Sequence, residues 1–356
     1  MATVFFSPAT QETPRPELTN IVAALFDATG VARHLETGDL TAIKIHFGEE
    51  GNRGHIAPDL AAVVAREITR AGGKPFFTDT NTLYVGRRAN AVDHLLLAHE
   101  HGFTPEVLGA PVIIADGLLG NDEVKVKVPG RHFQEVPIAR DLALARALVG
   151  LHHFTGHLVT GFGAAIKNLG MGGASRAGKL LQHSSVRPRV NLKKCIGCAE
   201  CVKWCSTGAI RVKDLRASID VSVCIGCGQC LAVCPQHAIQ FNWDESPALV
   251  QQKMAEHALA VLKGKEKKSA HLTFLTHMTA ECDCLATDDP LLLPDLGILA
   301  STDPVAIDAA AVDLVEQALG TTLAQATGRA LPNAQIAHAE AIGLGSSHYE
   351  LVTLEG

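Results

Sequence analysis

The sequence lacks the long apolar runs and the basic leader that mark membrane and secreted proteins. No run in its 356 residues reaches the roughly 18 apolar residues that a membrane-spanning helix needs. The first residues contain neither a basic region nor a long apolar stretch, so we predict no signal peptide. The net charge of −6 provides no excess of basic residues for binding nucleic acid. We therefore expect a cytoplasmic protein with no membrane and no nucleic-acid partner.

Cysteine, in contrast, is concentrated in one short segment. Eight of the ten cysteines form two runs with the same spacing, C-x2-C-x2-C-x3-C. The first run consists of Cys195, Cys198, Cys201 and Cys205, and the second of Cys224, Cys227, Cys230 and Cys234. A pair of such runs holds two [4Fe–4S] clusters in bacterial ferredoxins. We therefore predict two [4Fe–4S] clusters in this chain.

The spacing also predicts which cysteines share a cluster. Three cysteines separated by two residues can surround one cluster, whereas the fourth points away and reaches the other. We expect the first cluster on Cys195, Cys198, Cys201 and Cys234, and the second on Cys224, Cys227, Cys230 and Cys205. The two runs are offset by 29 residues at every position, which indicates two repeated half-domains. The alternatives are zinc knuckles, which normally present two separated ligand pairs, and disulfides, which need an oxidising compartment.

Basic residues are confined to one half of this repeat. Residues 187–216 contain eight lysines and arginines against Glu200 and Asp214, whereas residues 217–243 contain none. A positive surface over one cluster would steer an acidic redox partner, such as a ferredoxin-like or flavodoxin-like donor or acceptor. The alternative is a solvated face, or one paired with the acidic remainder of the chain.

Before the repeat, the pattern alternates between strands and helices. The predicted strands are residues 41–47, 74–80 and 111–116, and the predicted helices are residues 58–71 and 90–101. This order predicts a parallel, doubly wound sheet. Residues 123–128 and 132–137 follow as a predicted hairpin.

The same pattern resumes after the repeat. We predict a helix over residues 246–262, a strand over residues 271–277, and a helix that Asp303 caps and Pro304 begins. The predicted fold is therefore α/β, with a mostly parallel doubly wound sheet and an inserted small α+β ferredoxin-like domain. The predicted domains are residues 1–186 and 244–356, which form the α/β domain, and residues 187–243, which form the insert.

Several motifs resemble one family along nearly the whole chain. They are IKIHFGE (residues 43–49), GKPFFTDTNTLY (73–84), HFTGH (153–157), GFGAAIKNLGMG (161–172), CDC (282–284) and STDPVAIDAA (301–310). Together they resemble the family called domain of unknown function 362, in its form with an inserted ferredoxin module. The arrangement GH, GFG and Lys167 is also similar, by analogy alone, to nickel-dependent lactate racemase.

Polar residues follow the predicted strands at one edge of the sheet, where α/β proteins bind ligands. His46 and Asp79 lie at two strand ends, and His153 follows an apolar run. Lys167 would add a positive charge, and backbone amides of Gly170, Gly172 and Gly173 could hold an anion. We predict a catalytic or anion-binding site here. The alternatives are buried hydrogen-bonded histidines, a turn at Asp79 and glycines that only permit a tight turn.

Cys282 and Cys284 lie outside the repeat. Residues two apart in an extended segment point to the same side. The two thiols could therefore hold an additional soft metal, act as a redox dithiol, or serve as an acid–base or nucleophilic pair. The alternative is two small buried apolar side chains.

These observations predict an iron–sulfur oxidoreductase or electron-transfer protein. Its α/β domain would bind an anionic small molecule or a metal beside His46, Asp79, His153 and Lys167. One alternative is a non-redox isomerase or lyase of the lactate-racemase type with structural clusters. The other is an electron carrier or adaptor without a reaction of its own.

Overall fold

A mostly parallel sheet lies at the centre of the computed structural model, which describes residues 1–184, 187–241, 243, 245–287, 289–329 and 333–354. Its eight strands are β1 (Ala2–Pro8), β2 (Leu40–Lys44), β3 (Lys74–Asp79), β4 (Val112–Ile114), β7 (Ala147–His153), β14 (Ser269–Leu275), β15 (Gly297–Ser301) and β16 (Tyr349–Thr353). They lie in the order β16–β1–β15–β14–β7–β2–β3–β4. The β15 strand runs antiparallel to β1 and β14, and every other neighbouring pair is parallel.

Shorter strands form four two-stranded pairs outside this sheet. They are β5 (Glu123–Lys127) with β6 (Glu135–Ala139), β8 (Thr155–His157) with β9 (Gly161–Gly163), β10 (Arg189–Val190) with β13 (Ile239–Gln240), and β11 (Ile210–Lys213) with β12 (Arg216–Ile219). The first of these pairs is the predicted hairpin.

Helices connect and cover the strands. They are α1 (Arg15–Ala28), α2 (Pro58–Arg70), α3 (Ala91–Glu100), α4 (Pro105–Leu108), α5 (Arg140–Leu144), α6 (Ala165–Gly170), α7 (Arg176–His183), α8 (Glu200–Lys203), α9 (Gln229–Val233), α10 (Pro247–Leu262), α11 (Pro304–Leu319), α12 (Leu323–Thr327) and α13 (Ala334–Ala341). No helix in the described ranges is both long enough and apolar enough to cross a membrane.

Successive residues of the central strands pack against helices on opposite faces of the sheet. In β2, Ala42 belongs to one apolar cluster and Ile43 to the other, and β7 divides Leu148 and Val149 in the same way. One cluster contains residues of α6, α10 and α11, and the other contains residues of α1 and α2. Because helices cover both faces, the central strands β2, β7 and β14 are buried along most of their length. The predicted α/β fold with a mostly parallel sheet is confirmed.

Two differences from the predicted elements concern strands. The strand predicted over residues 41–47 ends at Lys44, although the amide of Ile45 still donates to the carbonyl oxygen of Thr78. The chain leaves the sheet there, so His46 lies beyond the strand rather than in it. Moreover, the sequence analysis did not identify β1, β15 and β16. These three strands extend the sheet beyond β14, and β15 pairs with its two neighbours in the antiparallel direction.

The cysteine runs lie in a segment of short elements between β7 and β14. This segment contains β10 to β13, α8 and α9, with a small apolar cluster that includes Cys201, Cys230 and Cys234. The central sheet resumes after it, because β14 pairs with β7 and Ser269 lies opposite Leu148. The domain boundaries predicted at residues 186 and 244 fall on residues outside the described ranges. The division into domains, and the ferredoxin-like nature of this segment, stay predictions.

Candidate functional site

A cavity of about 430 Å³ opens at the carboxyl ends of three neighbouring parallel strands. The strands β2, β3 and β7 end at Lys44, Asp79 and His153, and all three of these residues line the cavity. Parallel strands bring their carboxyl ends to one edge of a sheet, where α/β proteins bind ligands. Among the remaining lining residues are His46, Lys167, Cys282 and Cys284. The structure thus brings together the four predicted catalytic residues and the two cysteines of the CDC motif.

Lys44 and Asp79 form a buried ion pair at the floor of this cavity. Lys44 Nζ lies 2.9 Å from Asp79 Oδ1, and it also donates to Asn168 Oδ1 at 2.6 Å. The β2–β3 register places Lys44 beside Thr78, so the two charged side chains are neighbours. Burial would raise the pKa of Asp79, but the Lys44 ammonium and then the His46 ring hold it well below its usual range. Asp79 is therefore a fixed carboxylate.

Asp283, between the two CDC cysteines, holds two histidines together. His153 Nδ1 lies 3.0 Å from Asp283 Oδ2, and His153 Nε2 lies 2.7 Å from the carbonyl oxygen of Thr276. His46 Nε2 lies 3.2 Å from the main-chain oxygen of Asp283, and its Nδ1 lies 3.3 Å from Asp79 Oδ2. Burial would raise the pKa of Asp283, but His46 and His153 lower it far below its ordinary value. Both rings are thus oriented by carboxylates.

The ammonium of Lys167 lies beside both CDC sulfurs. Lys167 Nζ donates to Cys282 Sγ at 2.6 Å and lies 3.8 Å from Cys284 Sγ. Burial alone would lower the pKa of Lys167, but negative charge on the two sulfurs raises it above its ordinary value. The pKa values of the two thiols move in opposite directions. Burial raises that of Cys282, whereas a hydrogen bond from Cys282 and then the Lys167 ammonium lower that of Cys284. The Lys167 ammonium therefore favours a thiolate on this pair of cysteines.

His157 completes this group, because its ring nitrogen and both sulfurs lie within 4.8 Å of one another. Such a triad has the donor atoms of a soft-metal site. However, the backbone amides of Val159 and Thr160 donate to His157 Nδ1 at 3.1 and 3.0 Å. Since Nδ1 accepts both bonds, the neutral ring carries its proton on Nε2. A histidine that binds metal instead donates its second nitrogen to an acceptor. This geometry suits a hydrogen-bond donor better than a metal ligand.

Hydrogen bonds from the segment between β3 and α3 fix the backbone of the CDC loop. Arg88 Nε donates to Glu49 Oε2 at 2.9 Å, and both side chains are buried. Tyr84 Oη donates to the carbonyl oxygen of Cys284 at 3.0 Å, and Arg88 Nη2 reaches the same oxygen at 3.3 Å. The loop that carries the two thiols is therefore held to the segment between β3 and α3.

The three glycines of the predicted anion site have different surroundings. Only Gly172 lines the cavity, where an added Cβ would lie 2.7 Å from Lys44 Nζ. At Gly170 an added Cβ would lie 2.1 Å from the carbonyl oxygen of Met254 in α10, and at Gly173 it would meet Val261. None of the three has a positive φ. Gly170 and Gly173 thus allow close packing of α6 against α10, and they lie outside the cavity lining.

Among the cavity-lining residues that the sequence analysis missed are Lys179, His183 and Trp243. Lys179 and His183 come from α7, and Trp243 follows the cysteine segment. Burial lowers the pKa of Lys179 to about 8 and that of His183 to about 3. Lys179 Nζ donates to Thr80 Oγ1 at 2.6 Å and to the carbonyl oxygen of Ala174 at 2.7 Å. The sequence signal for Lys179 and His183 was weak, because their helix α7 follows a glycine-rich segment and its polar residues show no distinctive spacing.

A second group of metal-binding residue types has a structural explanation. His132, Glu256 and His338 offer atoms within 4.8 Å of one another. Glu256 Oε1 accepts the amides of Arg131 and His132 and lies 3.0 Å from His338 Nε2, and its Oε2 accepts the amide of Phe133. The carboxylate is therefore already satisfied, and it fastens the turn between β5 and β6 to α10.

In the cysteine segment, a small cavity of about 20 Å³ is lined by Cys195, Cys198, Cys201 and Cys234. Its remaining walls include Ile196, Val212 and Ile239. Two amides point at these sulfurs, because Ala217 N donates to Cys195 Sγ at 3.4 Å and Ala238 N donates to Cys234 Sγ at 3.2 Å. Three cysteines of the first run thus face the same space as the last cysteine of the second run.

Comparisons with known proteins give one family match. A family model described as "Domain of unknown function (DUF362)" matches residues 41–313. No curated protein matches the chain. A crystal structure of a Thermotoga maritima protein covers 87% of this chain and 60% of that chain, at 8% identity and a TM-score of 0.45. The lactate racemase apoprotein from Thermoanaerobacterium thermosaccharolyticum covers 78% of this chain and 51% of that chain, at 12% identity and a TM-score of 0.38. The chain thus spans about half to three fifths of the length of these two proteins.

Proposed function

This chain belongs to the DUF362 family, as its motifs predicted, and we propose that it is an iron–sulfur electron-transfer protein. It carries two [4Fe–4S] clusters in the cysteine segment and a ligand site in the cavity of the α/β domain. The observation that carries the proposal is the small cavity lined by Cys195, Cys198, Cys201 and Cys234. Each cluster would supply one-electron redox chemistry.

The donor set around this cavity fits a cluster. Four thiols are the ligands that a [4Fe–4S] cluster takes, and the set crosses between the two runs as the spacing requires. Amide donors to Cys195 Sγ and Cys234 Sγ are the kind of hydrogen bond that tunes a cluster's potential. The apolar walls would keep water from it.

The surroundings of the second run support the other half of the crossed arrangement. Burial raises the pKa of Cys227, and beyond that effect the neighbouring Cys205 and Cys224 raise it further. Cys205 belongs to the first run, so its thiol lies near those of the second run. The amide of Ala209 donates to Cys205 Sγ at 3.2 Å, the equivalent of the bond from Ala238 to Cys234 Sγ.

Helix α7 connects the cysteine segment to the cavity. At its beginning, Arg176 packs against Gly228 in the loop of the second run, where an added Cβ would lie 3.3 Å from Arg176 Cγ. Toward its end, Lys179 and His183 line the cavity, and the His183 ring lies 4.5 Å from that of Trp243. This continuity supports electron exchange between the second cluster and a molecule in the cavity.

The partner that fits the first half of the segment is an acidic redox protein. Leu192, Ile196, Trp204 and Leu215 are large apolar residues that are exposed there. They are accompanied by exposed basic residues, namely Lys193, Lys194, Lys203, Arg211, Lys213 and Arg216. Exposed apolar residues together with exposed positive charges suit a partner with a complementary acidic surface.

The cavity of the α/β domain suits a small molecule with a negatively charged group. Lys44 and Lys167 are paired with Asp79 and with the two CDC sulfurs. Lys179, in contrast, contacts a hydroxyl and a carbonyl oxygen and forms no ion pair with a described carboxylate. The buried carboxyl groups of Asp116 and Asp79 act on this ammonium from a longer distance, so its hydrogen-bonding side can still bind an anionic group. Apolar residues such as Leu151, Met254 and Trp243 line other parts of the wall.

Anaerobic purification tests the cluster proposal. We expect about eight irons and eight sulfides per chain, with EPR signals of reduced clusters. Cys205→Ala should remove the cluster of the second run, Cys234→Ala should remove that of the first run, and Cys284→Ser should leave both. A protein with zinc alone, or with four irons, would contradict the proposal. Clusters that no biological reductant can reduce would favour the non-redox isomerase.

A further inference from the structure

We propose that Cys282 and Cys284 form a redox-active dithiol that exchanges with a small anionic disulfide bound in the cavity. The proposal concerns the α/β domain and does not depend on the clusters of the proposed function. It rests on the arrangement of five side chains, those of the two cysteines, Lys167, His157 and Lys179.

The two thiols are close enough to react with each other. They lie two residues apart, and both line the cavity. The amide of Cys284 donates to Cys282 Sγ at 3.2 Å, so the loop folds back and brings both sulfurs to one side. Both sulfurs lie within 4.8 Å of each other. A disulfide between them needs only a short movement of this loop.

The two cysteines differ in the way that dithiol exchange requires. Cys284 is half-buried and faces the cavity, whereas Cys282 is 2% exposed. Cys284 is thus the thiol that a molecule in the cavity reaches first. In addition, its hydrogen bond from Cys282 and then the Lys167 ammonium lower its pKa, whereas burial raises the pKa of Cys282. Cys282 Sγ also lies 3.5 Å from Asp283 Oδ1, which can accept its proton in a hydrogen bond. Cys284 is therefore the attacking thiol and Cys282 the resolving thiol.

Lys167 and His157 favour a thiolate over a bound cation. The Lys167 ammonium lies 2.6 and 3.8 Å from the two sulfurs, where a metal ion would be repelled. His157 presents a protonated Nε2 rather than a lone pair, since its Nδ1 accepts two backbone amides. Because Lys167 is close to both sulfurs, it can stabilise the charge first on Cys284 and then on Cys282.

The reaction balances without another component. The Cys284 thiolate attacks one sulfur of the substrate R–S–S–R, the S–S bond breaks, and RS⁻ leaves. The Cys282 thiol gives its proton to this RS⁻ and attacks Cys284 Sγ, which releases the second RS⁻. The products are a Cys282–Cys284 disulfide, RSH and RS⁻. The two cysteines lose two electrons, and the substrate gains them.

The cavity indicates the class of substrate. Its volume of about 430 Å³ is that of a site for a small molecule rather than a peptide. The ammonium of Lys179 would bind a carboxylate of the substrate, and the apolar wall at Leu151 and Met254 would contact its methylene groups. A small dicarboxylic disulfide fits these features, and dithiodiglycolate is a suitable probe.

Mass spectrometry of the anaerobically purified full-length protein tests the proposal. With dithiodiglycolate, the wild-type peptide that contains Cys282 and Cys284 should lose two hydrogen atoms and retain no adduct. Cys282→Ser should instead retain one mixed disulfide on Cys284, and Cys284→Ser should react much more slowly. The neutral 2-hydroxyethyl disulfide should react more slowly than dithiodiglycolate, and Lys179→Met should remove that difference.

Three results would overturn the proposal. They are wild-type cysteines that stay reduced, an adduct that forms equally well on Cys282 in Cys284→Ser, and a stoichiometric metal ion that both cysteines hold in the purified protein. Iron analysis of the same samples keeps the two proposals apart, because loss of the clusters would leave the thiol exchange unchanged.

Discussion

Replacing Lys167 by methionine should sharply reduce the reactivity of Cys284 at mildly acidic pH. The ammonium lies 3.8 Å from Cys284 Sγ, and the thiolate is the form that reacts. Without the positive charge, the pKa of Cys284 rises, so less thiolate is present at a given pH. Methionine keeps the length and apolar character of the lysine stem, and the change therefore removes mainly the charge.

The size of the effect follows from Coulomb's law. At an effective dielectric constant of about 20, two unit charges 3.8 Å apart interact by about 4 kcal/mol, and at about 80 they interact by about 1 kcal/mol. These limits correspond to losses of thiolate between about fivefold and about a thousandfold. Because Lys167 is half-buried, the result should lie between these limits.

The assay is the rate of alkylation by iodoacetamide at pH 6, followed on the peptide that contains Cys282 and Cys284. Lys179→Met is the matched control, since Lys179 lies in the same cavity but donates to Thr80 and Ala174 rather than to sulfur. It should change the rate less than about twofold. Equal rates in Lys167→Met and the wild type, or alkylation mainly at Cys282, would refute the assignment of charge to this pair.

Other predictions concern stability and the redox partner. Lys44→Met should lower the stability measured by thermal melting by about 3–5 kcal/mol, because it leaves the buried Asp79 carboxylate without its ammonium partner. Asp79→Asn in the same chain should restore much of this loss, and simple additivity of the two changes would contradict a buried ion pair. Gly170→Ala should lower the free energy of unfolding by about 1–3 kcal/mol, because its Cβ would meet the carbonyl oxygen of Met254. Gly86→Ala is the control, since open space surrounds Gly86, and it should leave the melting temperature nearly unchanged. Electron transfer to an acidic acceptor should slow as salt rises above about 0.1 M, where the Debye length is about 10 Å; a flat rate would indicate that the basic residues act within the chain.

The sequence predicted helices well where a capping residue marks their first turn. Asn90 accepts the amides of Val92 and Asp93, and Asp303 accepts those of Val305 and Ala306. These side chains leave a local signal that tertiary structure does not change. The strands β1, β15 and β16, on one side of the sheet, lack such signals, because their pairing joins the two ends of the chain. A local sequence pattern cannot predict pairing between strands that lie so far apart along the chain.

The position of the site was predictable, but its charges were not. Strand-end residues His46 and Asp79 had to meet at one sheet edge, and they do. Lys44, however, looks in the sequence like an ordinary strand lysine. Only the neighbouring strand shows that it is buried against Asp79. Similarly, Asp283 gained its role from His153, which lies 130 residues earlier in the chain.

The proximity of Lys167 to the CDC sulfurs depends on a residue from yet another part of the chain. Asp308 in α11 accepts the amides of Ala165 and Ile166 at 2.7 and 2.9 Å. These are the first two residues of α6, so the buried carboxyl group fixes the beginning of the helix that carries Lys167. Since α6 has six residues, it contributes little helical stability of its own and relies on this contact and on packing. The STDPVAIDAA motif therefore positions the ammonium beside the two thiols, although none of its residues lines the cavity.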